Sequence, residues 1–374
     1  MKYYIVAGEA SGDLHASNLM RGIKASDPQA EFRYFGGDLM AAQGGTLTKH
    51  YRDMAFMGFV EVLMNLKSIS ANMNLCKADI LDFKPDAVIL VDYPGFNLRI
   101  AQFAKEQGFK VFYYIAPKVW AWKEGRVKKL KQYVDKLFII FPFEIPYFEK
   151  HGVTAEFYGN PLLDAIELRT DLDKSFVEFV ESNGLSSKPI IALVAGSRKQ
   201  EIKHNLPVML TMVKHFPDYQ FVIAGAPSLT LDVYKPYLTD SRVSLIYNQT
   251  YPLFKHSTIA LVTSGTATLE SALLNTPEVV CYKGSLISVL IAWIVIKVKY
   301  ISLVNLIMDR EAVVELTQFE LNEHRLRDEV SRLLPGSRHR ETMLDDFKKL
   351  QKMLGGSGAS QRVGSAIVSE ISNG

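Results

Sequence analysis

The chain has 374 residues, enough for two domains of ordinary size, and its 48% hydrophobic content fits a well-packed globular protein without extensive disorder. A net charge of only +3 excludes nucleic acid as the main partner. The two cysteines, Cys76 and Cys281, are far apart and give neither a disulfide framework nor a zinc pattern, which fits a reducing cytoplasm.

Met1-Lys-Tyr-Tyr-Ile-Val runs directly into a first strand and a polar turn, so no secretory signal is expected. The stretch "VAGEASGDLHASNLM" (6–20) then opens a helix over about 13–25. Its glycines, Gly8 and Gly12, do not have the spacing of a dinucleotide fingerprint, and Glu9 and Asp13 are poor company for a pyrophosphate. "EFRYFGG" and a helix near Leu39 follow. "MGFVEVLMNLKSI" (57–69) puts Phe59, Val60, Leu63, Leu66 and Ile69 near one helical stripe, either core or lipid-contacting. "DAVILVDYPGFN" (86–97) is a strand of the buried parallel kind, apolar without alternation and ended by a turn. A helix over 98–107 and the strands "KVFYYIAP", "KLFIIFPFE" and "AEFYGNPL" complete a first series.

The composition turns polar over 170–189, which reads as a linker. A second series follows: "PIIALVAGSR", "YQFVIAGAP", "VSLIYN", "STIALVTSGTATLE" and "PEVVCYKG". Strands alternating with helices in both halves imply an α/β protein with two Rossmann-like domains. The apolar run 286–296 is shorter than the about 20 residues that a spanning helix needs. It reads as a buried helix or as a lipid-touching surface with Trp293, Lys297 and Lys299 beside it. A Gly/Ser joint and an amphipathic helix end the chain, expected to pack back on the protein or on a partner subunit.

Both halves carry candidate chemistry at the ends of strands, where open α/β sheets bind ligands. In "SGTATLE", small residues let the backbone N–H groups of Gly265, Thr266 and Ala267 approach a diphosphate, and Glu270 stands one turn on, where it can accept ribose hydroxyls. The competing reading is an ordinary capped helix. In "GSRKQEI", Arg198 after Gly196 and Ser197 offers a forked, permanently charged donor, or merely pairs with Glu201. Asp92 ends a buried strand, as a base or as a turn residue, with Glu9, Ser11 and Asp13 along the same rim. His15, in the same loop region, reads more readily as a helix-surface residue. Trp120 and Trp122 precede a basic helix, either as packing or as part of a cationic wall for an anionic acceptor.

The motifs "GEASGDLH", "FMGFVEVL", "VDYPGFN", "IAPKVWAWKEGRV", "PFE", "GSRKQEI", "SGTATLE" and "YISLVNLI" together resemble the lipid-A-disaccharide synthase family over about residues 3–316. The resemblance implies a GT-B fold, two Rossmann-like domains facing each other across a cleft. The domains would be 1–170 on the acceptor side, 186–336 binding the UDP-sugar, and a helical tail, 337–374. It implies an inverting transfer from UDP-2,3-diacylglucosamine to 2,3-diacylglucosamine 1-phosphate (lipid X), in lipid A and lipopolysaccharide biosynthesis. By that resemblance Asp92 is the base, while Gly8, Glu9, Ser11, Gly12 and Asp13 line the sugar and acceptor side. UDP falls to Gly196, Ser197, Arg198, Ser264, Gly265, Thr266, Ala267 and Glu270, with Asn305 nearby. No Asp-x-Asp metal motif stands ahead of the sheet, so no metal or other cofactor is expected. Many members have a second aspartate where Gly95 stands here. The resemblance further implies a peripheral enzyme on the cytoplasmic face of the inner membrane. Phe59, Val60, Leu63 and Leu66 would contact phospholipid, and a homodimer would form by exchange of C-terminal segments. The alternatives are another GT-B UDP-sugar transferase, a UDP-sugar epimerase, or a non-catalytic nucleotide-sugar or lipid-binding protein.

Overall fold

A computed structural model describes residues 1–54, 66–120, 124–284 and 299–373, with the side chain of Leu66 outside the description. The chain divides into two compact units, Met1–Leu168 with Leu354–Gly374, and Arg169–Met353.

The first unit is built on a seven-stranded sheet. Its strands are β1 (Lys2–Ala7), β2 (Glu31–Gly36), β3 (Thr46–His50), β4 (Ala87–Val91), β5 (Lys110–Tyr114), β6 (Lys136–Ile139) and β7 (Ala155–Phe157). They lie in the order β3-β2-β1-β4-β5-β6-β7, all parallel. The unbroken apolar run Ala87–Val91 is buried at every position because both faces of the sheet are covered. Alternate residues serve opposite cores. Tyr4, Val6, Val88 and Leu90 pack with Cys76 and Ile100, from the helices Leu66–Phe83 and Pro94–Glu106. Tyr3, Ile5, Ile89 and Val91 pack with Leu19, Ile23 and Ile367, from the helices Ala10–Ser26 and Ala359–Ser372.

Those last two helices touch through glycines. A Cβ on Gly22 would lie 2.5 Å from the carbonyl oxygen of Ser360, and one on Gly364 would lie 2.6 Å from the carbonyl carbon of Gly22. Asp164, 6% exposed, fixes the start of the second helix by accepting from the N–H groups of Gly358 (2.5 Å), Ala359 (3.2 Å) and Ser360 (2.7 Å). Such an N-terminus has unpaired donors and a positive dipole end, and a carboxylate answers both.

The second unit repeats the plan with β8 (Ile190–Val194), β9 (Gln220–Gly225), β10 (Val243–Tyr247), β11 (Ser257–Thr263), β12 (Glu278–Tyr282) and β13 (Val314–Thr317). Their order is β10-β9-β8-β11-β12-β13, again parallel. Strand order therefore reverses between β1 and β4 in one unit and between β8 and β11 in the other, which is where such sheets hold ligands.

Two boundaries differ from the sequence reading. The polar stretch after residue 170 is not a linker: it holds a helix, Phe176–Ser182, opened by a Ser175/Glu178 capping box. Phe179 and Val180 of that helix join Ile190, Val222 and Leu253 in the core of the second unit. Its polar residues are the cap and the solvent face of an amphipathic turn. The tail also splits. The helix Arg338–Met353 belongs to the second unit, with Met343, Phe347 and Leu350 buried, and the first unit takes only the chain from Leu354.

Candidate active site

In the first unit the loop after β1 is shaped by close approach. A Cβ on Gly8 would sit 2.3 Å from the Tyr93 ring, and one on Gly12 would sit 3.3 Å from the Ala7 Cβ. Glu9 is half-buried and Ser11 exposed at this rim. Asp13 is not on the rim. Its carboxylate is buried and accepts from the N–H groups of Gly37 (2.8 Å), Leu39 (3.1 Å) and Met40 (3.1 Å), capping the helix Asp38–Ala42. Three donors clustered at a helix start outcompete a solvent-facing position. His15 is likewise not a surface residue: burial pushes its pKa down to about 4, which keeps the ring neutral.

Asp92 follows β4 in the left-handed region, at φ +46°, and so does Tyr93 at +47°. Two consecutive non-glycine residues there are strained, and the surroundings must hold them. The Asp92 N–H donates to the Tyr114 carbonyl at 3.0 Å. Its own carbonyl accepts from Asn97 Nδ2 at 2.8 Å and from the Tyr113 hydroxyl at 2.6 Å. The backbone is thus fixed and the carboxyl is left for other work. Burial raises its pKa, against the opposing pull of Lys118. A carboxyl of raised basicity at a strand end suits general-base catalysis.

Trp120 takes the packing role. Its Nε1–H donates to Glu144 Oε1 at 2.9 Å, and the Phe141 N–H donates to Oε2 at 3.1 Å. Glu144, 1% exposed, thereby ties the "VWAW" loop to "PFE", and burial pushes its pKa up to about 7. Trp122 lies outside the described residues. Lys128, Lys129 and Lys131 are exposed on the basic helix Arg126–Tyr133.

In the second unit Gly196 has φ +106°, and a Cβ there would meet Glu201 Oε2 at 2.3 Å, so glycine is required. Glu201 Oε2 accepts from the N–H groups of Ser197 (2.9 Å) and Arg198 (3.2 Å). The backbone donors of Ser197 and Arg198, in the loop assigned to UDP by resemblance, are therefore occupied by the protein's own carboxylate. The Arg198 guanidinium remains, 76% exposed and 3.2 Å from Glu201 Oε1. An exposed pair of this kind is worth about 0–1 kcal/mol and exchanges readily for a ligand anion.

The loop after β11 has the opposite character. Gly265 precedes the helix Thr266–Leu273, and among the described residues no side chain caps that helix and nothing lies within 4 Å of a Cβ built on Gly265. The alternative of a side-chain-capped helix therefore fails, and the helix start is open beside Gly265, Thr266 and Ala267. The Ser264 hydroxyl is committed to the Ile301 carbonyl at 2.7 Å, leaving Ser264 a structural part. Glu270 is half-buried, and burial pushes its pKa up to about 7 against the hydrogen bond from Tyr251 and the charge of Arg169. The Arg169 guanidinium lies 4.6 Å from the centre of the Tyr251 ring and pairs with Asp171. Sequence reasoning missed Tyr251 and Arg169, which stand 19 and 101 positions before Glu270 and have no motif spacing with it.

Asn305 is not available to a ligand. It is fully buried, its Oδ1 accepts from the N–H groups of Ala312 (2.7 Å) and Val313 (3.0 Å), and its Nδ2 donates to the Val313 carbonyl and Glu315 Oε1, both at 2.8 Å. A primary amide has two donor hydrogens and one acceptor oxygen, and all are used. Phe59, Val60 and Leu63, the side chain of Leu66, and the run 286–296 lie outside the described residues. Among the described residues no helix is long and apolar enough to cross a membrane.

A family profile described as lipid-A-disaccharide synthetase matches residues 3–366. The chain belongs to this family. A lipid-A-disaccharide synthase of Trichlorobacter lovleyi is 36% identical to it, over 98% of this chain and 97% of the relative. One of Syntrophus aciditrophicus is 37% identical, over 96% and 94%. Among solved structures, a UDP-GlcNAc 2-epimerase of Neisseria meningitidis bound to UDP-GlcNAc superposes with a TM-score of 0.68 over the whole of both chains, at 15% identity. That likeness shows the fold, which is of the GT-B type. As a lipid-A-disaccharide synthetase the chain is a glycosyltransferase of lipid A biosynthesis, working on a nucleotide-sugar donor and a lipid acceptor.

Proposed function

We propose that this enzyme transfers 2,3-diacylglucosamine from UDP to the 6-hydroxyl of 2,3-diacylglucosamine 1-phosphate, with inversion and without a metal. The acceptor oxygen attacks the anomeric carbon as the bond from that carbon to the UDP oxygen breaks. The acceptor proton passes to the Asp92 carboxylate and UDP leaves with the bonding pair. Arg198 and the open N–H groups at Gly265–Ala267 meet the charge of the departing diphosphate, and Glu270 accepts from the ribose hydroxyls. Gly8, Glu9, Ser11 and Gly12 border the acceptor side.

The observation that carries the reading is Asp92, a carboxyl of raised pKa on a strained, over-determined backbone at the switch point of its sheet. Purified protein with both substrates, detergent and EDTA, followed by mass spectrometry, tests it. Wild type should form the disaccharide 1-phosphate, and Asp92→Asn should lose about 10²–10⁴-fold in rate, the usual worth of a general base. Equal product from both would dismiss Asp92 as the base, and loss of product with EDTA would dismiss the metal-free route.

The acyl chains of both substrates favour work at the cytoplasmic face of the inner membrane, with Phe59, Val60, Leu63 and Leu66 meeting phospholipid. Val60→Glu with Leu66→Glu should then release folded enzyme from vesicles, and unchanged binding rejects the idea. The Gly355–Gly356 joint permits the helix Ala359–Ser372 to dock on a second copy, which sedimentation at two concentrations checks.

A further inference from the structure

Glu315 stands on the edge strand β13, paired with Val280 of β12. Its carboxylate gathers four hydrogen bonds. Oε2 accepts from the Ile301 N–H at 2.9 Å. Oε1 accepts from the Ser302 N–H at 2.9 Å, the Ser302 hydroxyl at 2.8 Å and Asn305 Nδ2 at 2.8 Å. Ile301, whose N–H is held by Glu315, accepts through its carbonyl from the Ser264 hydroxyl at 2.7 Å. One carboxylate therefore fixes residue 301, and residue 301 fixes the turn that leads into Gly265 and the open helix start. The signature "SLVN" serves this arrangement: Ser302 also caps the helix Leu303–Met308 by accepting from the Asn305 N–H at 3.2 Å.

We infer that Glu315 is a positioning residue for the donor diphosphate, acting through Ile301 and Ser264 on the turn that binds it. The inference rests on the reading that this turn takes the diphosphate. Glu315 itself does not touch the donor. A carboxylate is required because all four partners donate. Glutamine in its place would turn an NH2 toward one of those donors and unfasten residue 301 or 302. Placement of backbone donors toward an anion is steeply sensitive to displacement, so the loss is read first in donor binding.

The test is calorimetric UDP binding and steady-state kinetics on Glu315→Gln, Ser264→Ala, the double variant and Gly265→Val. Glu315→Gln and Ser264→Ala should each weaken UDP binding about tenfold, the scale of one lost hydrogen bond, and raise the donor KM while leaving the acceptor KM unchanged. The double variant should bind UDP no more weakly than either single one, since both act along one path. A residue that merely stabilises the fold would lower the melting temperature without this split. Wild-type UDP affinity in folded Glu315→Gln, additive losses in the double variant, or wild-type affinity in Ser264→Ala would each overturn the proposal. Gly265→Val separates the two levels, because a Cβ there meets nothing within 4 Å among the described residues. If it too binds UDP normally, the diphosphate lies elsewhere and the donor-site reading fails. If it alone loses UDP, the turn is the site and Glu315 does not position it.

Discussion

With Glu270 at the ribose hydroxyls, as proposed, nucleoside binding acquires a pH dependence whose size follows from the surroundings of that carboxyl. Burial holds its pKa at about 7, opposed by the Tyr251 hydrogen bond and by the charge of Arg169, whose own partner is Asp171. In that role the carboxylate would accept from both ribose hydroxyls, whereas the acid would accept from one and present a proton to the other. Binding therefore selects the ionised form. With a pKa of about 7, roughly one molecule in eleven is ionised at pH 6 and roughly ten in eleven at pH 8, a tenfold affinity difference of about 1.4 kcal/mol. UDP is a poor probe because a terminal phosphate titrates near pH 6. Uridine keeps the ribose without that phosphate. Its dissociation constant, measured by NMR titration from pH 6 to 8, should fall about tenfold in the wild type and stay flat in Glu270→Gln. A flat wild-type profile, or the same slope in Glu270→Gln, refutes the assignment.

The same shift acts on stability, with the opposite sign from a paired carboxylate. The folded pKa is raised, so between about 4.5 and 7 the unfolded chain ionises while the folded one keeps its proton, and stability falls as pH rises through that window. The full shift corresponds to about 3 kcal/mol, and partial solvent access reduces it to about 1–2 kcal/mol. Unliganded Glu270→Gln should melt higher than wild type at pH 8 and equally at pH 4.5.

Three further outcomes are expected. Asp164→Ala leaves three helix-start N–H groups unpaired and should cost about 2–3 kcal/mol, read as new proteolytic cleavage at 354–358; an unchanged digest rejects the latch. Glu278 is fully buried, and burial together with the charge of Glu315 raises its pKa well above the usual range, against the hydroxyl of Ser271. Only the unfolded chain ionises there as pH rises above about 4.5, so Glu278→Met should gain more than about 1 kcal/mol at pH 8, less toward pH 4, in denaturant titrations; a uniform loss contradicts this. A Cβ at Gly95 meets nothing within 4 Å among the described residues, so Gly95→Asp should fold with an unchanged melting temperature; with Asp92 as base it should not restore activity to Asp92→Asn, and rescue would shift the base role to residue 95.

The strands and the loops that follow them were legible because burial on both faces writes an unbroken apolar run, as in Ala87–Val91 and Ile190–Val194, and glycine marks tight approach, as at Gly8 and Gly196. The orientation of the polar motif residues was not. Asp13 turns to N–H groups some 24 to 27 residues away, and Asn305 closes on 312–315. Such partners are fixed by tertiary packing, and sequence spacing carries no trace of them. The stretch 170–189 misled for a related reason: Phe179 and Val180, with Phe176 partly buried beside them, suffice to anchor a short helix flanked by polar residues.

What separates the acids proposed to work from the structural ones is the number of N–H groups the carboxylate already holds. Asp13 and Asp164 each hold three backbone N–H groups; Glu201 and Glu315 each hold two, with further donors beside them. A carboxylate so engaged must break several bonds before it can take a proton or a ligand, which makes it a poor base and a good fastener. Asp92 and Glu270 have raised pKa values with few donors on them, one backbone N–H from Tyr93 in the first case and the Tyr251 hydroxyl in the second. Glu144 shows why the pKa alone does not sort them. It titrates near 7 as Glu270 does, yet it holds Trp120 and the backbone at 140–141. Glu144→Gln should therefore loosen the loop around Trp120 and leave uridine affinity unchanged, whereas Glu270→Gln does the reverse.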